Sequence, residues 1–427
     1  MKVFKFGGAS VKDARSVKNM LHILKQQAAD QRLVIVISAM GKTTNALEQL
    51  FSLHWEQQDY QATLENIRQY HWDIAQNLFT DRKDSIFSLL ENLFAELKQQ
   101  LSSVSHHTVS YDEAYDQVIS YGEIISTQLI SKYLQQEGLA CQWLDARQVL
   151  YTDAKWRDAQ IDWEITESQI RQKVLPMLAQ GQVITQGFIA GTVGNKTTTL
   201  GREGSDFTGA IFATSLQATS LTIWKDVNGI LNADPKIVAN AQKYAYLSYW
   251  EAAEMTQYGA KVIHPKTIIP LMKKDIPLYV RSFVYPKQTG TCISHTEVEK
   301  MIPAIIFKEN QTLIKLKVKG ANFMTNQRLI EVLQGLQAFH IEGHFIHKSA
   351  LGCEICVSGR PHRTKKFIAV FDQQYHISTH TDLQLVTIKN YDLATIKSST
   401  QGWTVLLEER NGNVYQAVVE AQLNGNK

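Results

Sequence analysis

Hydrophobic and polar positions along this 427-residue chain fall into two textures. The chain opens with a short apolar run carrying one lysine, Val3-Phe4-Lys5-Phe6, which breaks at Gly7-Gly8. A helical spacing runs from Val11 to Gln27 and is followed by an unbroken run, Leu33-Val34-Ile35-Val36-Ile37. A continuous β-branched stretch predicts a strand covered on both faces, as in a parallel sheet. Residues 45–135 place apolar side chains three and four apart (Phe87, Leu90, Phe94, Leu97, Leu101), which predicts helices. In that layer Trp55, His71 and Trp72 read as packing residues. From 141 to 232 the alternation resumes, with strands predicted at 141–144, 183–186 and 221–224 and a helix at 206–216. A helix over 248–259 and a strand over 277–280 close the layer. This alternation predicts a three-layer αβα fold on a mainly parallel sheet.

The turn cluster 286–290 and Pro303 mark a boundary, and beyond 304 the pattern changes. Strands are predicted at 312–318, 341–347, 351–357 and 376–380, with helices at 324–339 and 364–371. That βαββαβ order describes a small α+β module. Residues 382–427 begin a second one with a strand at 383–389 and a hairpin turned at Asn411-Gly412, too short to repeat the first in full. The expected domains are therefore 1–300, with 45–135 as its helical subregion, then 304–381, then an incomplete 382–427.

Composition narrows the class of protein. A net charge of +3, from 44 basic and 41 acidic residues, argues against nucleic acid or an anionic membrane as the main partner. No apolar run approaches the roughly 20 residues that span a bilayer, and the start MKVFKFGGAS lacks a signal-peptide core. Four scattered cysteines make no disulfide framework. A cytoplasmic, soluble, multi-domain protein is expected.

The chemistry concentrates in a few segments. A strand delivering Lys5 and Gly7-Gly8 to a helix start reads as an anion site. The hydroxyl-rich Ser38-Ala39-Met40-Gly41-Lys42-Thr43-Thr44 follows a buried strand, where open α/β sheets place ligands. Thr197 to Asp206 gathers glycines, hydroxyls and charge. Arg202 can grip a carboxylate or phosphate with two parallel hydrogen bonds, while helix capping is a rival role for Ser205 and Asp206. A strand ending in Trp224-Lys225-Asp226, an Asn228-Gly229 turn and further lysines suit a nucleotide pocket, although each lysine taken singly also reads as solvated surface.

Together the segments KFGGASV, SAMGKTTN, SYGEIIST, TQGFIAG, TTTLGREGSD, WKDVNGILNADPK and AEMTQYGAKVIHP resemble, in order and spacing, those of the aspartate kinases of the amino-acid kinase superfamily. The resemblance covers about residues 1–300, and the following module resembles an ACT domain. It implies phosphoryl transfer from ATP to the side-chain carboxylate of L-aspartate, giving 4-phospho-L-aspartate, the first step toward lysine, threonine and methionine. It further implies Lys5, Asp206 and Lys261 as catalytic residues. The substrate pocket would be lined by Ser38, Thr44, Glu123, Phe188, Arg202, Ser205 and Asp206. The nucleotide site would be lined by Lys5, Gly7, Gly8, Ser10, Lys225, Asp226, Leu231, Lys236, Lys261 and Val262. Mg²⁺ is implied with the nucleotide and not by any protein ligand cluster. A homodimer through the ACT-like modules is expected. Because the chain ends at Lys427, no fused homoserine dehydrogenase is expected.

Three departures accompany the resemblance. Glu203 stands where many members carry glycine, either pairing with Arg202 or pointing to solvent. Lys225 replaces the commoner threonine and Leu231 a tyrosine. In the ACT-like module, His344-Phe345-Ile346-His347-Lys348-Ser349-Ala350 lacks the acidic residue of lysine-sensitive relatives, so weak or absent lysine inhibition is expected. A zinc reading of His340, His344, His347, Cys353, Cys356 and His362 is disfavoured, because the two cysteines differ by an odd number on a strand and would face opposite sides. His264 reads as a turn residue. Rival readings are a kinase with another carboxylate acceptor and a non-catalytic amino-acid-sensing subunit.

Overall fold

The first apolar run forms β1 (Lys2–Phe6), a 3₁₀ turn follows at Gly8–Val11, then α1 (Ala14–Gln27), and the β-branched run forms β2 (Leu33–Ile37), buried throughout. These elements belong to a computed structural model describing residues 1–27, 32–81, 83–104, 109–260, 263–296 and 301–421. α1 starts later than its periodicity predicts. Asp13 caps it, its carboxylate accepting the Ser16 N–H at 2.7 Å. Asp13 thus occupies the start of α1, while the turn that directly follows Lys5 is the 3₁₀ segment Gly8–Val11, which has no side-chain cap.

The helical layer comprises α2 (Thr43–Trp55), α3 (Gln61–Leu78), α4 (Ser85–Ser103), α5 (Tyr111–Ile119) and α6 (Tyr121–Gln136). Its aromatic residues pack: Trp55 tilts on Phe51, and Trp72 on Phe87. His71 is fully buried, with Nδ1–H donating to the Ile67 carbonyl at 2.8 Å. Burial pushes its pKa down to about 4, so the ring is neutral.

The chain then runs through β3 (Cys141–Leu144), α7 (Trp163–Leu178), β4 (Gln182–Gln186), the hairpin β5 (Ile189–Gly191) and β6 (Thr197–Thr199), α8 (Gly204–Ser215) and β7 (Leu221–Lys225). After β8 (Tyr246–Ser248) come α9 (Tyr249–Gln257), α10 (Pro265–Lys273), β9 (Leu278–Ser282) and β10 (Thr291–Ser294). Among the described residues the main sheet has the order β3-β4-β2-β1-β7-β9-β10-β8, parallel except where β10 meets β9. Registers align the strand ends: Phe6 lies beside Ile37 and Trp224, and Ile37 beside Gln186. Four neighbouring strands thus deliver their carboxyl ends to one edge.

Contacts divide the chain into two compact units: Met1–Ile230, Lys243–Ala253 and Ile263–Val298; and Leu231–Gln242, Glu254–Val262 and Glu299–Lys427. The second contains β11 (Ala304–Val318), α11 (Asn326–Ala338), β12 (Glu342–Lys348), β13 (Gly352–Ser358), α12 (Pro361–Phe371), β14 (Tyr375–Lys389), α13 (Leu393–Thr400), β15 (Trp403–Asn411) and β16 (Val414–Ala421). Its antiparallel sheet runs β12-β13-β11-β14-β16-β15 among the described residues. The strands predicted at 376–380 and 383–389 are one, β14, continuous through a positive-φ Asp382. Helix α13 was not anticipated. Cys353 packs with Ile314, Ile355 and Phe367, whereas Cys356 packs with Leu313, Phe345 and Val418, so the two thiols occupy opposite sheet faces.

Candidate active site

At the carboxyl edge of the first unit's sheet lies a cavity of about 370 Å³. The ends of β1, β2, β4 and β7 bring Lys5, Gly7, Gly8, Ser10, Ser38, Phe188, Lys225 and Asp226 into its wall. Helices α2 and α6 add Thr44 and Glu123, and the first turn of α8 adds Ser205 and Asp206. The geometry depends on close backbone approach. A Cβ on Gly8 would lie 2.8 Å from the Ala39 carbonyl oxygen, and one on Gly187 2.6 Å from Ser205 Cβ. Phe188 itself sits at φ +70°, with its N–H donating to Thr208 Oγ1 at 3.0 Å. A non-glycine residue held in that region costs about 1–3 kcal/mol, strain that clusters at functional sites.

The electrostatic centre is Asp206. Lys5 Nζ lies 2.6 Å from its Oδ1 and Lys225 Nζ 3.4 Å from its Oδ2. Lys5 projects to the opposite face of β1 from Phe4 and Phe6, which pack on Trp224. Burial opposes charge on Asp206, but Lys5 and Lys225 together outweigh it and hold the carboxyl below its ordinary range. Two ammonium groups thus face one carboxylate. Glu123 behaves in the opposite way. Burial pushes its pKa up to about 8, although it accepts the Ala39 N–H at 3.2 Å, and its Oε2 has no hydrogen-bond partner.

Other predicted residues lie elsewhere. Ser205 and Asp206 do not cap α8: they lie inside its first turn, and the cap position belongs to Glu203 at φ +54°. Glu203 lines the cavity and turns inward, its Oε2 accepting the His264 N–H at 2.9 Å, rather than pairing with Arg202. His264 is a turn residue, capping α10 by accepting the Lys266 N–H at Nδ1. Arg202 is exposed and is not among the cavity-lining residues, though Gly201 and Glu203 on either side of it are. Leu231 and Lys236 belong to the second unit, and Lys261 and Val262 lie outside the described residues. Sequence reasoning missed Ala9, Ala39, Gly41, Gly201, Glu203, Gly204 and Trp224 as lining residues. The glycines carried a signal, since Gly41 at φ +55° and Gly201 at φ +72° mark the turns that shape the wall.

Residues 1–282 match the family model described as the amino acid kinase family. Over 341 residues the chain is 34% identical to lysine-sensitive aspartokinase 3 of Escherichia coli (strain K12), covering 79% of this chain and 74% of that protein. It is 36% identical over 297 residues to the chloroplastic bifunctional aspartokinase/homoserine dehydrogenase 1 of Zea mays, spanning 68% of this chain and 32% of that one. The crystal structure of E. coli aspartokinase III with aspartate and ADP superposes with a TM-score of 0.80 at 28% identity, covering 98% of this chain and 96% of that one. The chain belongs to the amino acid kinase family, among its aspartokinases. Among the described residues, no helix is long and apolar enough to cross a membrane.

Proposed function

We propose that this protein is an aspartate kinase, transferring the γ-phosphoryl group of ATP to the side-chain carboxylate of L-aspartate and releasing 4-phospho-L-aspartate and ADP. The observation that carries the reading is the Lys5–Asp206–Lys225 centre, set at the carboxyl edge of the sheet with Glu123 in the same wall. The E. coli relative of the same fold, crystallised with aspartate and ADP, supports the choice of substrates.

The chemistry follows from charge. An aspartate side chain with an ordinary pKa near ~4 is already an anion at neutral pH, so no general base is needed. Its oxygen attacks the γ-phosphorus, the bond to the β–γ bridging oxygen breaks, and ADP leaves. The obstacle is repulsion between two anions, and fixed cations lower it by stabilising the phosphoryl oxygens. Lys5 stands at the centre, oriented by Asp206, with Lys225 behind the same carboxylate. Lys261 is assigned the companion cation. Glu123 would receive the substrate ammonium, with Ser38, Thr44, Phe188 and Ser205 around it and Arg202 reaching the α-carboxylate. Mg²⁺ would neutralise the phosphates. Both Asp206 oxygens already face ammonium groups, which fits a metal carried by the nucleotide rather than by protein carboxylates. The reading assigns catalysis to the first unit and regulation to the ACT-like region beyond about residue 300, with a homodimer formed through it.

Hydroxamate trapping of the acyl phosphate tests this. Wild-type protein with ATP, Mg²⁺ and L-aspartate should form aspartyl hydroxamate. Lys5→Ala should lower kcat by at least about a hundredfold while leaving the circular dichroism spectrum unchanged. Absence of product with aspartate, while nucleotide still binds, would move the assignment to another acceptor or to a non-catalytic subunit.

A further inference from the structure

A second cavity of the first unit, of about 400 Å³, is lined by α7, α8 and α10 and shares no residue with the site above. Its apolar walls are Trp163 from α7, Phe207 from α8, and Ile269 and Pro270 from α10. The two rings meet edge to face, with centroids 6.2 Å apart and planes at 71°. Lys266, Lys273 and Lys274 also line it. Lys266 is paired with Asp158, but Lys273 and Lys274 are exposed and have no acidic partner among the described residues. The acidic wall residue Glu167 is answered by Arg171 at 2.5 Å. Ser215, at the end of α8, is 1% exposed, lines the cavity, and its Oγ has no hydrogen-bond partner. A buried hydroxyl without a partner is unfavourable unless something supplies one.

We propose that this cleft is a binding site for a small aromatic carboxylate. The aromatic body packs against Trp163, Phe207, Ile269 and Pro270, the carboxylate meets Lys273 and Lys274, and a polar substituent reaches Ser215 Oγ. Size selects a small molecule over a second protein chain. The volume falls within the roughly 300–1,000 Å³ of ligand pockets. A stable protein interface instead needs about 800 Å² from each partner. Charge selects an anion, since the two unpartnered ammonium groups lie on a wall whose one carboxylate is already neutralised. Phe207 follows Asp206 in the first turn of α8, so the occupant and the Lys5-bound carboxylate share one helix.

The test is a fluorescence titration of the full chain with 8-anilinonaphthalene-1-sulfonate, an aromatic anion. Saturable single-site binding is expected, displaced by 3-phenylpropanoate and not by 3-phenylpropan-1-ol. The double variant Lys273→Glu/Lys274→Glu should weaken it by at least about tenfold, and Trp163→Ala on the facing wall should weaken it comparably. Saturating ATP and the Lys5→Ala variant should leave it unchanged, which separates this cleft from the nucleotide site. Binding that is not saturable, that ATP displaces, that the alcohol displaces equally, or that survives both sets of substitutions would overturn the proposal.

Discussion

Glu123 and Asp206 are both carboxylic acids buried in one cavity, yet their environments drive them apart. Asp206 has two ammonium partners and stays charged, whereas for Glu123 burial outweighs the Ala39 N–H, its own backbone N–H and the Lys5 charge and pushes its pKa up to about 8. The native carboxyl of Glu123 therefore holds a proton that the unfolded chain releases near its ordinary 4.5. Between those pH values the native state binds more protons. The contribution of Glu123 to stability is then full below about pH 4.5 and is lost as pH rises toward 8. Glu123→Gln should flatten that part of the stability profile, read as the thermal midpoint across pH 5–9. The same proton gives a binding signature. An ammonium placed beside Glu123 favours its ionised form, so aspartate binding at pH 7 should release close to one proton. Calorimetry in two buffers of different ionisation enthalpy measures this, and Glu123→Gln should abolish the release.

At the scale of elements, the site depends on how the β5–β6 hairpin and the turn into α8 are held. Asp116 of α5 is buried and accepts three hydrogen bonds: from Arg157 N–H at 3.0 Å, Thr199 N–H at 2.9 Å and Thr199 Oγ1 at 2.7 Å. Replacing it by alanine leaves buried donors unpaired and should cost on the order of 3 kcal/mol. A lowered urea midpoint of the first unfolding transition checks this, and an unchanged midpoint would refute the anchoring role. The turn at Glu203 adopts the left-handed backbone that glycine occupies without strain, so a side chain here costs backbone energy. Here the carboxylate compensates by holding the His264 N–H. Helix α8 was legible from its apolar period, but its start two residues earlier was not, because it is set by a left-handed turn at a glutamate, which residue type does not announce.

Over the whole molecule, the two units carry different chemistry. In the second, the β12 segment expected to read an effector sets His344 between the Lys308 ammonium and Glu342, whose Oε1 lies 3.7 Å from His344 Nδ1. Lys308 Nζ donates to His344 Nδ1 at 3.2 Å, and the other ring nitrogen hydrogen-bonds with Ser358. Burial lowers the Lys308 pKa, and burial followed by the Lys308 charge lowers that of His344. A free lysine placed here would set its ammonium beside another one. Millimolar L-lysine should therefore leave kinase activity unchanged, in contrast to the relative named lysine-sensitive. Inhibition in that range would show that a different surface reads the effector.

Sequence alone determined the layers: β2 could be read because burial on both faces demands an unbroken apolar run, and the β15–β16 hairpin because Asn411-Gly412 suits a tight turn. It also marked Lys5, Gly8, Glu123 and Asp206, whose motifs recur in a recognisable order. The tertiary structure decided which charges meet. Lys225 shares Asp206 with Lys5, Glu203 turns toward His264 and not Arg202, and Glu123 is buried deeply enough that its Oε2 has no hydrogen-bond partner. Local propensity depends on neighbours three or four residues away. Charge state and pairing depend on burial and on groups that only the folded chain brings within a few ångströms.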